Sequence, residues 1–494
     1  MKVKMVTENK MNYVVTSILR LEFGGRTKAL IQRTKNLSEH FNLEFTLVTT
    51  NYNANYNKVY RHYYDKGYAN EKIGFENVYD YFSGRDYKNG ETVEYPIEIP
   101  GYTVKPNEKN HTYKYYKNGQ YVRMRTYDQA TGKLKFDDVM FPGTNHRKIR
   151  YEYNDFGICH RKIVYKPNTS NKLEEVFYDD QGKIYLSFSH TGEDENSIWH
   201  GDLLHNNKII ALKDEKDFFR YAFEHILQAG GVTFCDARIL DQSLLTCNVE
   251  TEKYFILHNS HNVTGEISKT YRYLIEHANK ADKIIVLTQE QLNDLLDLGI
   301  DSARMTVIPH SMDTVETIDS ASRKLEKKFV FIGRIVPQKQ VHHIVHAFSK
   351  VAEKYPDYWL EIYGDGKEAE DVSQLIQELK AEEHVKMMGR TDNIRSVFQN
   401  AIASLISSHY EGFGLVIMES LHYGCPVISY NFKYGPKDLL TDGENGYIIE
   451  KDNIELLADT IIRMIENPIT DVKLSDEYYL SSTIEKWGRL LGQQ

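Results

Sequence analysis

His409-Tyr-Glu-Gly-Phe-Gly-Leu-Val-Ile-Met-Glu-Ser-Leu421 sets two glutamates, Glu411 and Glu419, eight positions apart around a Gly-Phe-Gly turn. A glycine turn running into a helix start aims several backbone N–H groups at one point, which suits a phosphate or a sugar hydroxyl. Glu411 falls on the loop and Glu419 about two helical turns later, so the carboxylates address opposite ends of one elongated ligand. Short apolar runs precede this stretch, set between helix-like segments. They are Phe45-Thr-Leu-Val-Thr49, Tyr254-Phe-Ile-Leu257, Lys283-Ile-Ile-Val286, Lys328-Phe-Val-Phe-Ile332, Trp359-Leu-Glu-Ile-Tyr363, Val385-Lys-Met-Met388 and Ala403-Ser-Leu-Ile406. That alternation predicts an α/β chain of doubly wound sheets, which bind ligands at the carboxyl ends of their strands.

Two cations fit such a ligand. In Gly333-Arg-Ile-Val-Pro-Gln-Lys339 a strand ends, the proline turns the chain, and Arg334 and Lys339 reach one anion from two sides. Fixed cations so placed stabilise negative charge on a bound anion without a metal. Phe23-Gly-Gly-Arg-Thr27 precedes the first helix, where Gly24 and Gly25 let backbone approach a ligand at the helix's positive end. His258 closes a strand within His258-Asn-Ser-His261, a position from which an imidazole hydrogen-bonds a ligand hydroxyl or polarises a reacting centre. Either histidine also suits a purely structural role. Gly364, Gly366 and Gly389 read as strand-end turns without chemistry.

The 494 residues suffice for two large domains and an insertion, and 41% hydrophobic with 27% charged residues is the balance of a globular protein. No apolar run approaches the roughly 20 residues that span a bilayer. The start, Met1-Lys-Val-Lys-Met-Val-Thr-Glu8, lacks the apolar core of a signal peptide, which predicts a cytoplasmic protein. Cys159, Cys235, Cys247 and Cys425 show no metal-ligand spacing and predict neither a zinc site nor a disulfide framework. A net charge of −9 argues against nucleic acid as a partner.

The charge is uneven, however. From Val104 to Ser170 there are 14 Lys/Arg against 6 Asp/Glu, a local 14 − 6 = +8 that includes Arg147, Lys148 and Arg150. Either an anionic partner visits this region or the sheet face balances an acidic remainder. The same region carries the turn tetrads Lys117-Asn-Gly-Gln, Ala130-Thr-Gly-Lys, Asn154-Asp-Phe-Gly and Asp180-Gln-Gly-Lys between Tyr-, Val- and Ile-rich runs. These are hairpin signals, and residues 65–205 read as an antiparallel meander whose exposed edges favour self-association.

The Glu-x7-Glu stretch, with Gly424-Cys-Pro-Val-Ile428 after it, resembles the retaining nucleotide-sugar glycosyltransferases of family 4. The resemblance implies a GT-B fold: two doubly wound Rossmann-like domains, here with an antiparallel β-sheet insertion in the N-terminal one. Its domain layout is 1–64 with 206–310 for the acceptor-side domain, 65–205 for the insertion, 311–475 for the nucleotide-sugar domain, and 476–494 for a helix returning to the first. It implies catalytic roles for Arg334, Lys339, Glu411 and His258. The hexose falls to Glu411, the ribose to Glu419, and the remaining donor contacts to Gly24, Gly25, Phe413, Gly414 and Leu415. No metal or other cofactor is implied, the UDP-sugar being a co-substrate. With no carboxylate placed as a nucleophile, retention would follow a front-face route in which the leaving phosphate oxygen takes the acceptor proton.

With the early β-rich insertion and Tyr430-Asn-Phe-Lys-Tyr-Gly-Pro-Lys437, the chain is similar over nearly its full length to bacterial wall teichoic acid α-glycosyltransferases. That narrower resemblance implies an anionic poly(glycerol phosphate) or poly(ribitol phosphate) acceptor met by Arg147, Lys148 and Arg150. It also implies a homo-oligomer, of which a trimer is the expected order, and peripheral contact with membrane-linked polymer at the inner face of the membrane. The transferred sugar is glucose or N-acetylglucosamine. Two other assignments stay open: an O-linked N-acetylglucosaminyltransferase of serine-rich adhesins, and a noncatalytic GT-B binding or stabilising subunit.

Overall fold

The computed structural model describes residues 10–85, 92–194, 198–263, 265–313 and 325–493. The chain divides into two compact units, Met1–Ser38 with Asn42–Lys253, and Glu39–Phe41 with Tyr254–Gln494.

In the first unit, Asn12–Thr16 is the middle of a parallel sheet, with Val232–Cys235 on one side and Phe45–Thr49 then Ile73–Asn77 on the other. Its apolar residues Val14, Val15, Leu47 and Phe234 are almost wholly buried. The helix Gly25–Phe41 turns Leu30, Ile31, Thr34 and Leu37 inward at helical spacing.

Ten strands between Thr103 and Leu212 then form one antiparallel sheet in strict sequence order, the simplest meander. Its turns use the expected glycines. Gly119, Gly132, Gly157 and Gly182 all have φ between +69° and +77°, the left-handed region that tight hairpin turns demand. The meander starts later than expected and ends later. Ile73–Asn77 is a parallel strand, followed by the short helix Val78–Ser83, and Lys208–Leu212 is the tenth antiparallel strand. A lone five-residue alternating run looks alike in either kind of sheet; here Phe75 is drawn onto the Tyr60 ring, 4.7 Å between centroids.

The meander's interior is ionic as well as apolar. Asp137 takes Arg123 at 3.0 Å and Arg125 at 3.1 Å, while the fully buried Asp138 takes Arg147 at 2.7 Å and both prongs of Arg150 at 2.8 and 2.9 Å. Glu175 takes Arg161 at 2.8 Å, His190 at 2.9 Å and Lys172 at 3.3 Å. Cross-strand register brings these partners together: Arg150 stands opposite Asp138, and Arg125 opposite Asp137.

The second unit holds the parallel strands Glu252–Ile256, Lys283–Val286 and Met305–Val307, and a six-stranded parallel sheet. The order of the latter is Val385–Gly389, Trp359–Tyr363, Lys328–Ile332, Ala403–Ile406, Val427–Tyr430, Gly446–Ile449. In sequence order that is 3-2-1-4-5-6, the doubly wound arrangement whose switch point lies between its first and fourth strands. The helix Val341–Lys354 covers the sheet with Val341, Ile344, Val345, Phe348 and Val351, the i, i+3, i+4, i+7 stripe of an amphipathic helix. Helix Leu480–Leu491 closes the unit. Among the described residues no helix is long and apolar enough to cross a membrane.

Burial pushes the Glu175 carboxyl up, but the His190 hydrogen bond and the Arg161 and Lys172 charges outweigh it and hold it at about 2, against an ordinary 4.5. A carboxyl depressed by folding stabilises above its unfolded value and loses that contribution as pH falls toward the folded one. Glu175→Gln should therefore cost roughly 3 kcal/mol near neutrality. It should also flatten the acid side of the melting-temperature profile between about pH 4.5 and 2. A variant melting with the parent's temperature and acid profile would contradict this.

Candidate active site

The switch point brings the two key loops together. Lys328–Ile332 ends into Gly333 and Arg334, and the neighbouring Ala403–Ile406 ends into Ser407, Ser408 and Glu411. Lys339, on a single 3-10 turn formed by Pro337–Lys339, makes an ion pair with Glu411. Their side chains are 14% and 16% exposed, so the charges face each other in a half-dry setting where attraction is stronger than in bulk water. Ser408 Oγ donates to Glu411 Oε1 at 2.7 Å.

The loops are stitched together elsewhere too. Ser407 Oγ donates to the carbonyls of Lys339 and Gln340 at 2.7 and 3.0 Å, the His409 N–H to the Gln338 carbonyl at 2.7 Å, and Gln338 Nε2 to the Tyr410 carbonyl at 2.8 Å. Arg334 is exposed and makes no ion pair among the described residues.

Glycines here permit approaches that no side chain would survive. A Cβ at Gly364 would stand 1.8 Å from the Gly333 carbonyl oxygen, and one at Gly366 would stand 2.1 Å from that of Ile335. Both glycines therefore shape the Arg334 loop, a packing role the sequence left unassigned. At Gly412 a Cβ would lie 2.0 Å from the His258 carbonyl oxygen, so the backbone of His258 rests on the Glu411 loop.

The His258 ring stacks on His310, with centroids 5.8 Å apart and planes 8° apart, and His310 meets Phe413 edge-on at 5.3 Å. Phe413 itself is 2% exposed and touches Tyr478, so its ring is part of the core. His261 is buried beside Tyr434, and burial pushes its pKa down.

Gly414, at φ +84°, caps the helix Leu415–His422, which carries Glu419. The helix is pinned from beneath: Ser420 Oγ pairs with Ser404 Oγ at 2.9 Å and donates to the Cys425 carbonyl at 2.9 Å. The helix starts at Leu415, four residues after Glu411, and the backbone N–H groups of a helix start suit a phosphate.

Gly24 caps the helix Gly25–Phe41 in the first unit, at φ −90°, and nothing lies within 4 Å of where a Cβ would be. In the same unit Arg147 and Arg150 are engaged by Asp138, whereas Lys148 is exposed. Exposed Lys105, Lys114 and Lys117 lie over the rings of Tyr116, Tyr121 and Tyr102 at 4.9, 5.4 and 5.8 Å. Among the described residues no group of three His, Cys, Asp or Glu side chains is placed to hold a metal.

Sequence reasoning missed three participants. Ser408 lay three residues before Glu411 with no signal of its own. His310 carried no role, although its place just after the strand Met305–Val307 matches that of His258 after its own strand. The segment Lys433–Gly435, whose Lys433–Tyr434 peptide is cis, carried no role.

Residues 313–479 match the family model for Glycosyl transferases group 1. The chain is 27% identical over 97% of its length to the poly(glycerol-phosphate) α-glucosyltransferase of Bacillus subtilis strain 168, covering 75% of that protein. It is 25% identical over 97% of its length to the poly(ribitol-phosphate) α-N-acetylglucosaminyltransferase of Staphylococcus aureus strain COL, covering 99% of it. The crystal structure of TarM superposes with a TM-score of 0.83 at 23% identity, covering 99% of each chain, which identifies the fold as GT-B. The switch-point sheet, the glycine-bounded loops and the family match coincide on the same residues: the fold is GT-B, and residues 313–479 carry its glycosyl transferases group 1 domain.

Proposed function

We propose that this protein transfers a hexose, with retention, from a UDP-sugar to a hydroxyl of a teichoic acid polyol-phosphate chain. The observation that carries the proposal is the Lys339–Glu411 pair at the switch point, beside the exposed Arg334, in a chain similar from end to end to two teichoic acid α-glycosyltransferases. A related TarM structure holds UDP and α-GlcNAc-glycerol.

A diphosphate entering the switch point draws Lys339 from Glu411 and adds Arg334 and the amides at Leu415, which stabilise the charge growing on the leaving group. Glu411, released from Lys339 and oriented by Ser408, accepts hydrogen bonds from hexose hydroxyls. Glu419 takes the ribose, and His258, steadied by His310, faces the sugar. The leaving phosphate oxygen removes the acceptor proton on the same face. The two cations supply the neutralisation, and no metal is assigned a step. Gly24, with open space before it, leaves room for a phosphate at the Gly25 helix.

For the acceptor, the meander's free charge matters more than its total. Lys105, Lys109, Lys114, Lys117, Lys135, Lys148 and Lys166 are exposed between Val104 and Ser170, while Arg147 and Arg150 hold the sheet together. A cavity of about 640 Å³ opens next to Lys114, Tyr121, His146 and Tyr165. The enzyme works in the cytoplasm, at the inner face of the membrane. Trp199 and Ile209, 62% and 73% exposed on the last two strands of the meander, support self-association through that edge, with a trimer as the expected order. Sedimentation of the whole chain should give an oligomer, and a monomer at assay concentrations would remove this part of the proposal.

The function is tested by offering UDP-glucose and UDP-N-acetylglucosamine with poly(glycerol phosphate), poly(ribitol phosphate) or a serine-rich peptide, and measuring UDP release. Turnover should require a polyol phosphate and weaken steeply with salt, as multiply charged acceptors do. Lys339→Ala should lower it by at least about 10³-fold. Turnover on the peptide alone, indifferent to salt, would point to protein glycosylation instead.

A further inference from the structure

The helix Gln289–Asp297 grips the segment 433–438 at several points. Asp294 Oδ2 accepts the Tyr434 hydroxyl at 2.6 Å, and Lys433 Nζ reaches both Asp294 oxygens at 2.8 and 2.6 Å. Glu290 takes Lys437 at 2.8 Å, and the Gln289 N–H donates to Asp438 Oδ1 at 2.5 Å. Tyr434 is fully buried, and its ring stacks on His261 at 5.9 Å.

The anchored segment holds Glu411 by its backbone on both sides. The Glu411 N–H donates to the Lys433 carbonyl at 3.0 Å, and the Tyr434 N–H to the Glu411 carbonyl at 2.9 Å. Just beyond, Gly435 has φ +124°, and a Cβ on it would stand 1.8 Å from the Phe413 carbonyl oxygen. Glu411 thus rides on a segment whose own position is set from the Gln289 helix.

The contacts of Asp294 are unequal. Lys433 is exposed, its side chain about half in solvent, so its ion pair is screened. The Tyr434 hydroxyl is buried and donates to an ionised carboxylate, the stronger class of hydrogen bond and the costlier one to lose.

We propose that Asp294 is a positioning residue for the transfer reaction: through the Tyr434 hydroxyl it fixes the backbone that presents Glu411 to the transferred hexose. The proposal rests on the reading of Glu411 as the hexose-binding carboxylate.

The test compares Tyr434→Phe and Asp294→Asn in the full chain, measuring kcat with the UDP-sugar the enzyme turns over and, by calorimetry, the Kd of UDP, which has no hexose. Tyr434→Phe removes one oxygen from an otherwise intact core. It and Asp294→Asn should each lower kcat at least about tenfold, because small misplacements of a reacting constellation are costly. UDP affinity should stay within about twofold in both. A smaller fall in kcat for Tyr434→Phe, or a parallel loss of UDP affinity that betrays general damage, would overturn the proposal. Glu411→Gln, run alongside, separates the two levels. Lost turnover with normal UDP binding upholds the underlying reading whatever the Tyr434 result, and normal turnover overturns that reading and this proposal together.

Discussion

Lys339 and Glu411 are charges of opposite sign held at the place where a parallel sheet divides, each too buried to be indifferent to its partner. Taking two such groups out of water is unfavourable unless each is paired and hydrogen-bonded. Glu411 has Lys339 and Ser408, and the Lys339 loop is tied down by Ser407 and Gln338. On the proposed function, the pair keeps a cation and an anion preorganised for a ligand that needs both, a diphosphate joined to a hydroxyl-rich ring. Exchanging partners, rather than assembling the site afresh, avoids a reorganisation term in the transition state.

That pairing depends on backbones lying closer than side chains allow. Gly333 against Gly364, Ile335 against Gly366, His258 against Gly412 and Phe413 against Gly435 bring four pairs of chain segments into contact around the switch point. A Cβ at Gly364, Gly366, Gly412 or Gly435 would push apart the loops that carry Arg334, Glu411 and His258. The glycines and the charges form one device: the first set the distance, and the second use it.

Much of this was legible in the chain itself. The strand runs from Phe45 to Ala403, the turn glycines of the meander and the loop positions of Arg334, Lys339 and Glu411 follow from local patterning, because period, punctuation and charge are local properties. Partnership is not. The excess of cations between Val104 and Ser170 resembled a free surface, yet Arg147 and Arg150 answer Asp138 across a strand pair, and Arg161 answers Glu175 from the neighbouring strand. Counting charges could not show which were already taken. Ile73–Asn77 was misread for the same reason, since the direction of its neighbour decides between parallel and antiparallel pairing. Tyr434 and Asp294, 140 positions apart, have no local signature at all.

The most direct measurement is a crystal structure of the whole chain with an unreactive UDP-hexose analogue. The account predicts the β-phosphate against Lys339 and Arg334, the Lys339–Glu411 contact opened, and Glu411 on hexose hydroxyls. An analogue bound away from the switch point, or bound there with Lys339 and Glu411 still locked together, would contradict it.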